Sequence, residues 1–149
     1  MPPNPGSPTA TIDTSKSLAE LTGIDLGIAP AEAGTLIRER HEIRRTPIRD
    51  LPHAAIVRFL DMGSDAEILV PAALDRLRED SDAIDLLCAV LRAEHFDWRG
   101  HPELVGKVRD RVYTVTQGIG EIADDLVRLE YESAVWMFYA QFERRLSAV

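Results

Sequence analysis

Asp82-Ala83-Ile84-Asp85-Leu86-Leu87-Cys88-Ala89-Val90-Leu91-Arg92 is the stretch whose reading decides the fold. At 3.6 residues per turn its apolar residues, Ile84, Leu86, Leu87, Cys88, Ala89, Val90 and Leu91, fall on nearly every face. A helix of that kind holds only when neighbours surround it. The run therefore predicts a central buried helix over about 82–92. Cys88 is the single cysteine of the chain, so no internal disulfide can form. Its apolar neighbours make it a buried structural thiol rather than a nucleophile.

The segments on either side also read as helices. Upstream, Ser17 with Glu20 three residues later has the pattern of a capping box, and Gly23 is placed to end that short helix. Ile24 to Gly34 is an irregular connection. A second helix, half solvated, is expected from about Leu36 to Arg45, stopped by Thr46-Pro47 because the residue before a proline leaves the α region. Asp50 is the expected cap of a third helix, with Pro52 in its first turn, Ile56, Val57, Phe59 and Leu60 on its apolar face and Gly63 just past its end. From Asp65 to Glu79, Leu69 or Val70, Ala73, Leu74 and Leu77 face inward while Asp75 and Glu79 share the other side. Pro71 in this run means either a helix that begins near it or one kinked there.

Downstream, Pro102 opens a helix carrying Leu104, Val105, Val108, Val112 and Val115, and Gly118 to Gly120 interrupts it. The last helix, about Glu121 to Leu146, repeats Ile122, Leu126, Leu129, Ser133 and Trp136 at three- and four-residue steps. Between Tyr131 and Phe142 it is apolar on several faces and needs more than one neighbour. No stretch alternates apolar and polar residues long enough to demand a sheet. The expectation is an all-α fold of about six to seven helices, a compact bundle or a short stack of helix pairs.

The chain has 149 residues, enough for one ordinary domain. Residues 1–16 hold four of the nine prolines, at Pro2, Pro3, Pro5 and Pro8, and read as a flexible tail. Residues 17–149 read as a single helical domain. No apolar run approaches the ~18 residues of a membrane helix, and the N-terminus lacks the order of a secretory signal, which implies a cytoplasmic protein with no membrane partner.

A formal charge of −8 argues against direct nucleic-acid binding and favours a basic partner. The charge is also unevenly spread. Asp61 to Asp85 carries eight acids against Arg76 and Arg78, and Glu121 to Glu132 carries five against Arg128. Arg38 to Asp50 is net positive. Single charges of this kind are usually solvated helix faces, but as patches they can steer a partner.

Chemical signatures are lacking. His41, His53, His95 and His101 are scattered rather than set at the spacing of zinc ligands, so no metal is expected. Gly118-Ile119-Gly120 has neither the preceding strand nor the third glycine of a dinucleotide fingerprint, and no phosphate loop or nucleophile elbow occurs. No cofactor and no enzyme activity are expected.

Four segments, taken in order, carry a resemblance: Lys16-Ser17-Leu18-Ala19-Glu20-Leu21, His41-Glu42-Ile43-Arg44-Arg45-Thr46-Pro47-Ile48, Leu69-Val70-Pro71-Ala72-Ala73-Leu74 and Asp85-Leu86-Leu87-Cys88-Ala89-Val90-Leu91. In their order and spacing they resemble the short helical immunity proteins of bacterial contact-dependent growth inhibition systems. The resemblance covers about Lys16 to Leu91; Leu26 and Ile84 depart from the family's aromatic residue and glycine, and the chain from Glu94 onward matches no pattern. It implies a non-catalytic cytoplasmic protein that binds its cognate toxin domain, commonly a nuclease with a basic cleft, and blocks the active site. Together with the acidic patches it points to Asp75, Glu79, Asp80, Asp82, Glu121, Asp124 and Asp125 as toxin contacts. The other reading is a helical adaptor or oligomerisation module without a toxin, using the Tyr131 to Phe142 run for self-association.

Overall fold

The computed structural model describes residues 12–80, 83–93, 95–122 and 124–147. It is all-α, 72% helical, with seven α-helices and no strand among the described residues. The chain divides into two compact units, 1–50 and 51–149. The boundary lies inside the stretch that the sequence suggests as one domain from Ser17 onward.

The first unit is built on α1 (Leu18–Thr22) and α2 (Thr35–Arg45). Ser17 and Glu20 form the reciprocal capping box, and Gly23, at φ 73°, returns its N–H to Ala19. Leu18, Ile43 and Ile48 are its buried apolar residues. Arg44 is buried too, donating to the Thr22 hydroxyl at 3.0 Å and the Ile24 carbonyl at 3.3 Å, because a charged group leaves water only when it is hydrogen-bonded. Leu36 and Ile37, at the start of this half-solvated helix, are exposed.

Residues 12–16, grouped by composition with the tail, are tied down. The Arg49 N–H donates to the Thr14 carbonyl at 2.9 Å and the Ile48 N–H to the Lys16 carbonyl at 3.1 Å, next to a bridge between Ser17 and Pro47. Backbone pairing needs no apolar side chain, which is why composition misses it. The rest of that tail, residues 1–11, lies outside the described residues.

The second unit holds α3 (His53–Asp61), α4 (Ala66–Glu79), α5 (Ile84–Leu91), α6 (Pro102–Ile122) and α7 (Asp125–Ser147). Helix α5 is the centre, packed against α3, α4 and α7, and every residue of it except Asp85 is buried. Helix α6 lies on α4 and α7. A single-turn 3-10 helix at Trp98–Gly100 buries Trp98 against Phe96 and Phe138, with ring centroids at 4.6 and 5.2 Å. Edge-on ring contacts of this kind lock the far end of the core.

Several boundaries differ from the sequence expectation. Helix α3 starts at His53 with Pro52 as N-cap residue, while Asp50 closes a 3-10 turn by donating its N–H to the Pro47 carbonyl. Gly63 does end α3, at φ 73°, and a Cβ there would lie 2.5 Å from the His95 ring. Pro71 sits in the second turn of α4, which begins at Ala66, so the helix forgoes the bond to Glu67 rather than starting at the proline. Helix α6 runs through Gly118 and Gly120 to Ile122, since burying Ile119 beyond Val112 and Val115 outweighs a glycine cost of about 1 kcal/mol. Glu121 and Ile122 consequently belong to α6, not to the last helix.

Candidate interaction surface

Arg92 follows the last turn of α5 and reaches two other helices. Its guanidinium donates to Glu130 of α7 at 3.0 Å and to Asp61 at the end of α3 at 3.4 Å. Burial pulls this arginine down, but the hydrogen bond to Glu130 and the charge of Asp61 more than offset that and hold it above its ordinary value. The two acidic segments of the sequence therefore meet at one cation.

Around it lies an open groove of about 620 Å³, lined by His53, Arg58, Asp61, Asp85, Arg92 and Glu130 among others. Asp85, the one exposed position of α5, faces this solvent side. Cys88 lies in the core of the same helix. Burial pushes its thiol up to about 11, opposed by Arg92 and reinforced by Glu130, Asp85 and Asp61. It is an inert, protonated group at neutral pH.

His53 ties the end of α4 to the groove. An arginine can only donate, so Arg76 gives a hydrogen bond to His53 Nδ1 at 3.1 Å, and His53 Nε2 gives one to Asp80 at 3.2 Å. Burial holds the Arg76 guanidinium below its ordinary value. Asp75 is half-buried and Glu79 exposed on the same helix.

The other expected contacts have different settings. Glu121 is exposed at the end of α6. Asp124 caps α7, its carboxylate accepting from the Val127 N–H at 2.9 Å and its carbonyl from Arg128. Asp125 pairs with Arg128 one turn on. Asp82 lies outside the described residues. Sequence reasoning named Asp80 but passed over Asp61, Asp85, Arg92 and Glu130, although the first two and the last are counted in its acidic segments. What it lacked was the packing of α5 against α3 and α7, which brings residues 38 apart in sequence together.

The apolar run of α7 needs a correction as well. Tyr131, Ala134 and Phe138 are its buried line, and the Tyr131 hydroxyl donates to the Val112 carbonyl at 3.0 Å. Burial raises that phenol, against the opposing bond to Thr116. The run from Tyr131 to Phe142 is thus not a self-association face as a whole. The line that repeats at three- and four-residue steps in the sequence points outward: Leu126, Leu129 and Trp136 are 78%, 65% and 68% exposed.

In the first unit a cavity of about 660 Å³ lies between α2 and the Gly27–Ala31 loop. Its basic residues hold that loop: Arg38 donates to the Ala31 carbonyl at 2.6 Å, and His41 Nδ1 lies 3.0 Å from the Gly27 carbonyl. Among the described residues no group of three or more His, Cys, Asp and Glu is placed to hold a metal ion, and no helix is long and apolar enough to cross a membrane. What the groove offers is three carboxylates, Asp61, Asp85 and Glu130, beside the guanidiniums of Arg58 and Arg92, a surface for charge recognition. Comparison with protein-family models, with curated proteins and with solved structures found no match for the chain.

Proposed function

We propose that this is a cytoplasmic immunity protein of a contact-dependent growth inhibition system, which binds the basic nuclease domain of its cognate toxin and occludes the active site. The observation that carries this reading is the convergence of Asp61, Asp85 and Glu130 at one groove of the second unit, with Asp80 bonded to His53 of the groove lining. A rim of carboxylates competes with a polyanionic substrate for the same basic cleft, and it accelerates encounter more than it tightens the final complex. The four family-like segments support the reading from a second direction. Glu79 and Asp75 lie on α4 outside the groove lining and add to the negative field of the second unit, whereas Asp124 and Asp125 are engaged locally and contribute less.

The test is growth rescue in cells producing the toxin encoded beside this gene, followed by binding kinetics. Asp85→Lys with Glu79→Lys should slow association by about tenfold at low salt and flatten its salt dependence, because steering depends on the field of the whole patch. Glu121→Lys should change little. Unaltered association in the double variant removes the groove as the docking face; absence of rescue by the wild-type chain removes the immunity reading itself.

A further inference from the structure

The outer line of α7 has a regular spacing. Leu126, Leu129, Ser133, Trp136 and Ala140 follow one another at steps of three, four, three and four residues. That is the interval of a coiled-coil seam, and the line lies on the side of the helix opposite Tyr131, Ala134 and Phe138. Over these fifteen residues the seam is about 21 Å long, roughly four helical turns. Its three large side chains are mostly in water, whereas a helix that faces only its own core places polar residues there.

The flanks are acidic along the first half of the seam, and Met137 and Tyr139 flank the second half. Asp125, Glu130 and Glu132 occupy the positions beside it that set partner choice in paired helices. Asp125 is shared with Arg128 and Glu130 with Arg92, while Glu132 is exposed. A second copy of this chain fits poorly. In a parallel pair Asp125 of one copy would face Glu130 of the other, and in an antiparallel pair each acid would face its own kind.

We propose that the outer face of α7 is a docking seam for one amphipathic helix of a partner protein, apolar along its own seam and flanked by Lys or Arg. Trp136 is the anchor, since a large aromatic side chain carries a disproportionate share of an interface. Glu132, exposed and outside the two ion pairs, sets the sign of the partner's flank. The inference does not depend on the immunity reading, and a peptide tests it without any toxin.

The probe is a synthetic four-heptad helix with Leu along its seam and Lys on both flanks, compared with the isomer carrying Glu on the flanks. Trp136 is the exposed one of the two tryptophans and Trp98 is already buried, so a blue shift of emission reports docking at this face. The Lys-flanked peptide should bind the full chain and shift the emission, and added salt should weaken it; the Glu-flanked peptide should not bind. Leu126→Glu with Leu129→Glu should cut affinity by at least about tenfold with an unchanged circular dichroism spectrum. Glu132→Lys, which touches no apolar residue, should weaken the Lys-flanked peptide and strengthen its isomer. Failure of both peptides to bind, equal binding of both, or a dimer of the chain alone that Leu129→Glu dissociates would each overturn the proposal.

Discussion

Helices α5 and α7 of the second unit both carry apolar residues on more than one face, and they use that character differently. Helix α5 is enclosed by α3, α4 and α7, so each of its apolar residues has a neighbour. Helix α7 has apolar residues on several faces, yet it buries one line and leaves another in solvent. Apolar content therefore fixes burial only when no face is left to choose. Where several faces are apolar, packing selects among them: in α7 the selection is made by the Tyr131 bond to Val112 and by the contact of Phe138 with Trp98.

The same substitution in the two helices gives the widest separation. Leu87→Asp would place a carboxylate, without a partner, where no water reaches, at a cost of several kcal/mol, a large share of the roughly 5–15 kcal/mol that holds a domain of this size. The second unit should unfold. Leu129→Asp changes an exposed position and should cost well under about 1 kcal/mol. Urea denaturation followed by Trp98 emission measures both, and comparable losses in the two variants would erase the distinction between the helices.

How far the sequence reaches follows the same division. The all-α class, the capping box at Ser17, the glycine at the end of α3 and the central place of α5 could all be read, because each rests on local spacing or on a run with no polar face. The segments that carry the family resemblance turn out to be packing segments: Leu18, Ile43, Ile48, Leu69, Val70 and Leu87 are all buried. They speak to architecture and say little of the contact surface. The groove could not be read, since Arg92 finds Asp61 and Glu130 only through the packing of three helices. Nor could the orientation of α7: Leu126, Leu129 and Trp136 have the spacing of a core stripe as good as the true one.

Cys88 sharpens the picture of α5 as a dry interior. Its thiol lies near 11 in the folded chain against an ordinary value of 9.0. Below pH 9 the thiol is protonated in both states and its contribution is complete. As pH rises from 9 through 11 the unfolded chain ionises first, so stability falls, by about 2 kcal/mol at the upper end. The urea midpoint of the wild type should drop more steeply over this interval than that of Cys88→Ala. Parallel curves would mean that water reaches the helix and that its enclosure is incomplete.

At the entry to α7 the effect is smaller. Asp124 accepts from the Val127 N–H, so Asp124→Ala should cost about 1 kcal/mol, and Asp124→Asn, which keeps the acceptor but drops the charge, should restore most of it. Glu121→Ala, exposed at the end of α6, should be close to neutral. Thermal melts of the three variants check the ranking. If Asn is no better than Ala at 124, charge rather than capping is what the position supplies, and Asp124 returns to the set of contact acids.

Gly120 gives the smallest effect and tests where the last helix begins. The sequence suggests a break at Gly118 to Gly120, whereas α6 continues to Ile122 with Ile119 buried. A Cβ at Gly120 would meet nothing within 4 Å, and its backbone is not left-handed. Alanine there should remove a glycine's excess freedom in the unfolded chain and stabilise by about 0.5 kcal/mol, toward the low end for such changes because the helix frays near its end. Were Gly120 instead the left-handed terminus of a helix stopping at 118, alanine would be strained and destabilising. The sign of the shift in melting temperature separates the two. It also decides whether Glu121 is carried by α6 or by the helix whose outer face is the proposed seam.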